Sequence, residues 1–131
     1  MNSAISFPAL VIGKSIDRIN YHYLVADRRM IHLAYRDVLL IDQEGNCFEM
    51  EGIRQEGGLS IYYSIVLVGK MVRVAPVIKK AIYHLPLDLV KDLLISWIQT
   101  HPNRLSAIAD DQDIINDIHV SRTYLELIKS F

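Results

Sequence analysis

Residues 38–48 read VLLIDQEGNCF: an apolar run, a polar stretch ending in Gly45-Asn46, and a second run continuing through Glu49, Met50 and Glu51. A positive φ costs least at glycine and little at asparagine, so this pair between two such runs predicts a β-hairpin. Upstream, residues 30–41 (MIHLAYRDVLLI) set Ile31, Leu33 and Tyr35 in alternation with His32, Ala34 and Arg36. That period of two predicts a hairpin strand that begins well before Val38. Residues 21–25 (YHYLV) are aromatic and β-branched and predict another strand, ended by the polar residues that follow. Downstream of Glu56-Gly57-Gly58, residues 59–68 (LSIYYSIVLV) carry apolar groups on both faces, the pattern of a central covered strand. Gly69-Lys70 fits a two-residue turn into residues 71–74, with Pro76 ending that strand or placing it at an edge.

The period changes in the last third. Leu87, Val90, Leu94, Trp97 and Ile98 recur at helical spacing, Pro86 suits the first turn, and His101-Pro102-Asn103 stops the helix. Asp110, Asp111 and Asp113 head a second helix through Ile114, Ile115 and Ile118, where acids favour the positive end of the macrodipole. Ser121 is placed to cap a final short helix through Leu125 and Ile128. The expected fold is therefore α+β. It is a twisted antiparallel sheet of about four to six strands with two or three C-terminal helices packed on it. One domain is expected over residues 1–131, mainly β to 83 and helical from 84.

Composition narrows the function classes without choosing one. The chain has 131 residues, 51% of them hydrophobic and 22% charged, which argues against disorder. The single cysteine, Cys47, allows neither an internal disulfide nor a cysteine-based zinc cage. Residues 1–13 lack the basic start of a secretory signal, and no apolar run approaches the ~20 residues of a membrane span, so the cytoplasm is the expected location. The five histidines share no metal-ligand spacing, and Cys47 has no cation beside it in sequence to make it a nucleophile. No nucleophile elbow, phosphate loop or dinucleotide fingerprint occurs, so no cofactor and no enzymatic activity are expected. Glu49 and Glu51 share one strand face, but like charges two residues apart on an exposed strand are ordinary.

Charge is the uneven property. Formal net charge is −1. Yet residues 37–56 hold Asp37, Asp42, Glu44, Glu49, Glu51 and Glu56 against one base, Arg54. Residues 57–87 hold Lys70, Arg73, Lys79 and Lys80 and no acid, and residues 110–117 hold Asp110, Asp111, Asp113 and Asp117 and no base. Such blocks are either solvated faces or docking surfaces for a partner of opposite charge.

Two resemblances bear on function. Residues 113–130 place Ile114, Ile118, Val120, Leu125 and Ile128 at helix-turn-helix spacing, and residues 120–125 (VSRTYL) resemble the start of recognition helices in AraC-type regulators. His119 stands where that turn usually has Gly, and only Arg122 and Lys129 are available to phosphates there. The second resemblance covers more of the chain. The order of hairpin (38–48), strand (61–68), Leu-rich helix (85–91) and acidic helix with a short final helix (110–131) resembles the small immunity proteins of bacterial polymorphic toxins, including those of contact-dependent growth inhibition. That resemblance implies a cytoplasmic, non-enzymatic antidote that binds one cognate toxin domain, often a nuclease, and blocks it. A toxin of that kind has a basic cleft, so the expected partner-binding residues are Asp110, Asp111, Asp113 and Asp117, with the hairpin acids Asp42, Glu44, Glu49 and Glu51. Sequence-specific DNA binding through residues 113–130 is the alternative.

Overall fold

The computed structural model describes residues 5–20, 23–27, 33–55 and 71–131. Chain order is β1 (Ala9–Ile12), β2 (Ile16–Ile19), β3 (Leu24–Asp27), β4 (Val38–Asp42), β5 (Asn46–Gln55), β6 (Met71–Ile78), β7 (Tyr83–His84), then α1 (Leu87–Thr100), α2 (Asp111–Val120) and α3 (Tyr124–Ile128). The strands form one antiparallel sheet in the order β2-β1-β4-β5-β6-β3, with β7 paired to β5. The α+β architecture expected from the two hydrophobic periods is the architecture observed.

Alternation along the strands divides the core between the two faces of the sheet. Leu10, Ile12, Ile41 and Cys47 pack with Val90, Leu94, Trp97 and Ile98 of α1 and with Ile114, Ile118, Leu127 and Ile128 of α2 and α3. Their strand neighbours Ala9, Val11, Leu40, Phe48 and Met50 belong to a second cluster with Leu24, Ile53 and Val74. Burying a side chain such as Leu94 or Ile118, both fully inaccessible, is worth about 1.5–3 kcal/mol each. The helices are thus held by their apolar stripes and leave their polar faces outward.

The hairpin forms where expected. Ile41 pairs with Cys47 and Leu40 with Phe48, and Gly45 closes the turn at φ +85°. Glycine is needed there for space as well, since a Cβ would lie 2.5 Å from Tyr124 Cζ. Other boundaries move. The first hairpin strand begins at Val38; residues 33–37 form a turn instead, with Tyr35 at φ 55° and Asp37 at φ 56°. Two left-handed residues cannot continue a strand, whatever the hydrophobic alternation. Pro76 lies inside β6, an interior strand, opposite Ile53. Among the described residues β3 pairs with β6 from Met71 to Val74, and no β3 ladder bond is lost there at Pro76. Thr123, and not Ser121, caps α3, its side chain accepting the Glu126 N–H at 3.1 Å. Ser121 ends α2, its Oγ donating to the Asp117 carbonyl at 2.8 Å. The central strand expected at residues 59–68, the Gly69-Lys70 turn and residues 21–22 and 30–32 lie outside the described residues.

β1, whose four residues are all buried, is covered on both faces, as are β4 at Leu40 and Ile41 and β5 at Cys47 and Phe48. Among the described residues, no helix is long and apolar enough to cross a membrane.

Candidate functional site

Much of the acidic block at the hairpin is engaged within the fold. Asp42 is fully buried. Its Oδ1 accepts the backbone N–H groups of Glu44 and Asn46, both at 2.9 Å, and its Oδ2 accepts that of Ser6 at 3.1 Å. Expected as a partner-binding residue, Asp42 instead ties the hairpin turn to the residues before β1; an inaccessible carboxylate with three backbone donors has no surface to offer. Glu44 is exposed but accepts from Ser6 Oγ at 2.7 Å. Glu49 is half-buried, 3.6 Å from Lys80 Nζ. Burial, a hydrogen bond to Glu49 and that carboxylate's charge push the Tyr83 phenol up to about 12. Asp37 pairs with Lys79, and this hydrogen bond and charge hold its carboxyl below the ordinary range. Glu51 stays exposed, at the irregularity where β5 shifts register against β6 between Met50 and Gly52.

The reason is the register. β5 pairs with β6, so the strand that follows the hairpin acids lies beside the one leading to Lys79 and Lys80. Charges from two blocks that look separate in sequence thus meet in space, Asp37 with Lys79 and Glu49 with Lys80.

The C-terminal block behaves differently. Ile114, Ile115 and Ile118 anchor the inner side of α2, which turns Asp110, Asp113 and Asp117 outward. Their spacing of three and four residues puts them on one stripe, with Asp113 and Asp117 about 6 Å apart along the axis at 1.5 Å per residue. Val120, 71% exposed, continues the stripe. Among the described residues, none of these three carboxylates forms an ion pair. Asp111 is set apart: half-buried, its Oδ2 accepts the Asn103 N–H at 2.9 Å, while its Oδ1 is buried without a partner among the described residues. The structure therefore brings three of the eight expected acids together on one rigid exposed face.

A second constellation ties α3 to β7 and the hairpin turn. The Tyr124 hydroxyl donates to the Leu85 carbonyl and lies 3.5 Å from His84 Nε2, and the two rings meet edge-on with centroids 5.7 Å apart. His84 Nε2 donates to the Glu44 carbonyl at 3.0 Å, a bond that requires the proton on that nitrogen. Sequence inspection missed this cluster because its members lie 40 residues apart.

Little else supports chemistry. Cys47 is buried, and desolvation pushes its thiol up to about 11, the opposite of what a nucleophile needs. Among the described residues, no group of three or more His, Cys, Asp or Glu side chains is placed to hold a metal ion. His119 is exposed on α2, and His22 and His32 lie outside the described residues. No protein-family model matches the chain, and neither a curated protein nor a solved structure is significantly similar to it.

Proposed function

We propose that this chain is a non-enzymatic binding protein that neutralises a cationic protein domain, as an immunity protein does a cognate toxin domain such as a nuclease. The observation that carries the reading is the outer face of α2: Asp110, Asp113 and Asp117 exposed on one stripe, unpaired among the described residues, on a helix whose other side is buried. Carboxylates held this way form charge-assisted hydrogen bonds with Arg and Lys, and they speed encounter with a basic cleft. Because α2 is already rigid, little ordering entropy opposes association.

The DNA-binding alternative has no observation in its favour. α3 spans five residues, with Leu127 and Ile128 buried, and residues 113–130 set the exposed cations Arg122 and Lys129 against Asp113, Asp117 and Glu126. The test is binding to the C-terminal domain of the large protein encoded next to this gene. A 1:1 complex that weakens with salt and abolishes that domain's activity is the expected result. Failure to bind, or turnover of a small substrate by the isolated chain, overturns the reading.

A further inference from the structure

A groove of about 980 Å³ lies between three parts of the chain: the Gly13-Lys14 turn joining β1 to β2, the turn at residues 33–37, and the loop after α1 that carries His101 and Arg104. We propose that it binds a phosphate-bearing ligand of nucleotide size. This site is separate from the acidic face of α2 and does not depend on the function proposed above.

Its charge is the first argument. Lys14, Arg36 and Arg104 line it, all three exposed, and none forms an ion pair among the described residues. The carboxylate on its wall, Asp37, is already engaged by Lys79. Three cations around one concavity, with the Asp37 carboxylate that Arg36 also faces already bound to Lys79, attract an anion locally on a chain whose net charge is −1. Guanidinium groups match the oxygens of a phosphate in paired hydrogen bonds, which favours that anion class.

Construction is the second argument. Arg36 sits between Tyr35 and Asp37, both in the left-handed region that non-glycine residues rarely adopt. Such conformations persist only where the surroundings hold them, and they gather at ligand-binding sites. Here the Asp37 N–H donates to the Met50 carbonyl at 3.1 Å, fixing the turn to β5. Arg104 Nη1 donates to the Lys14 carbonyl at 2.9 Å, joining two of the walls. Gly13 lies so close to Val38 that a Cβ would come within 2.8 Å of its Cγ1.

The walls also offer rings. Tyr35 and His101 are half-buried at the groove, and Leu33 is 51% exposed there. His101 stacks on Trp97 at 4.2 Å and 15°. Its Nδ1 lies 2.8 Å from the Trp97 carbonyl, which only accepts, so the neutral ring leaves Nε2 as its acceptor. Cations together with stackable rings, in a volume within the roughly 300–1,000 Å³ of small-molecule sites, suit a nucleotide better than bare phosphate.

The chain carries a built-in reporter, since Trp97 is its single tryptophan and its Nε1 donates to the Gly13 carbonyl at 3.2 Å. The experiment titrates the full chain at low salt with adenosine monophosphate, inorganic phosphate and a short single-stranded oligoribonucleotide, read by calorimetry and Trp97 fluorescence. Adenosine monophosphate is expected to bind, to be displaced by phosphate, and to lose about tenfold or more in affinity in each of Lys14→Ala and Arg36→Ala, whose side chains make no hydrogen bond among the described residues. An oligoribonucleotide that binds more tightly than the mononucleotide identifies a strand as the source of the phosphate; equal or weaker binding identifies a free nucleotide. Absence of binding by all three probes, or undiminished binding by both variants, overturns the proposal.

Discussion

Tyr124 at the start of α3 donates its hydroxyl proton to the carbonyl of Leu85, 39 residues earlier and just before α1. Its ring leaves no room for a side chain at Gly45, which is already at φ +85° in the hairpin turn. One aromatic ring thereby ties the C-terminal helix to both the hairpin and the entry of α1. Tyr124→Phe is expected to cost about 1 kcal/mol in urea unfolding, the net worth of one hydrogen bond. Gly45→Ala should cost about 2 kcal/mol or more, from left-handed strain and collision together. In a Tyr124→Ala background the same substitution should cost less, because the collision with Tyr124 is gone and the strain and the 2.7 Å approach to His84 Nε2 are left.

Asp42 predicts a separation of stability from binding. Asp42→Ala leaves the N–H groups of Ser6, Glu44 and Asn46 without their acceptor, and about 3 kcal/mol of stability should go with it. Affinity for the partner, measured where the variant is still folded, should be unchanged.

The Asp37–Lys79 pair sets a pH dependence. Lys79 lowers the Asp37 pKa in the folded state, so the folded form binds this proton less readily than the unfolded chain does. The contribution is therefore present above the ordinary carboxyl range near pH 4 and is lost as pH falls through the lowered folded value. Asp37→Asn should flatten that part of the acid limb in a thermal melting series, with little change near neutrality.

Cys47 gives a test of packing under the hairpin. A thiol raised to about 11 and inaccessible to solvent should resist alkylation at pH 8 in the native chain and react fully in denaturant. The linked stability is complete below the ordinary thiol range near pH 8.5 and declines as pH rises toward the folded value. Rapid native labelling would show that α1 and α3 do not cover this strand as described.

Local periodicity made the fold class legible: the hairpin at Gly45, the apolar stripe of α1 and the acid-headed α2 were all readable in the chain. What periodicity could not reveal was set by distant partners. The alternation of Leu33 and Tyr35 imitates a strand, yet the backbone there turns through two left-handed residues and hangs from Met50. Pro76 looks like a strand terminator, yet it lies inside β6, opposite Ile53. β1 went unread because its four apolar residues, between Pro8 and Gly13, are too few to show a period. For the candidate site, the acids of α2 were found by counting charge. The same linear count does not show that Asp42 is buried, or that the chain beyond β6 delivers Lys80 to Glu49 and Lys79 to Asp37. Lys14, Arg36 and Arg104 come from three separate stretches and form no block at all.

The central claim is that the outer face of α2 recognises a cationic partner, and neutralising that face tests it most directly. In the triple variant Asp110→Asn, Asp113→Asn and Asp117→Asn, position 110 has no side-chain cap hydrogen bond to lose, and only Asp110 and Asp113, at the start of α2, give up about 1 kcal/mol or less each in macrodipole interaction. The fold should therefore persist. Affinity for the C-terminal domain of the neighbouring gene's product should fall by about tenfold or more at low salt, and its salt dependence should become shallower. Unchanged affinity and an unchanged salt slope in a folded triple variant would contradict the account.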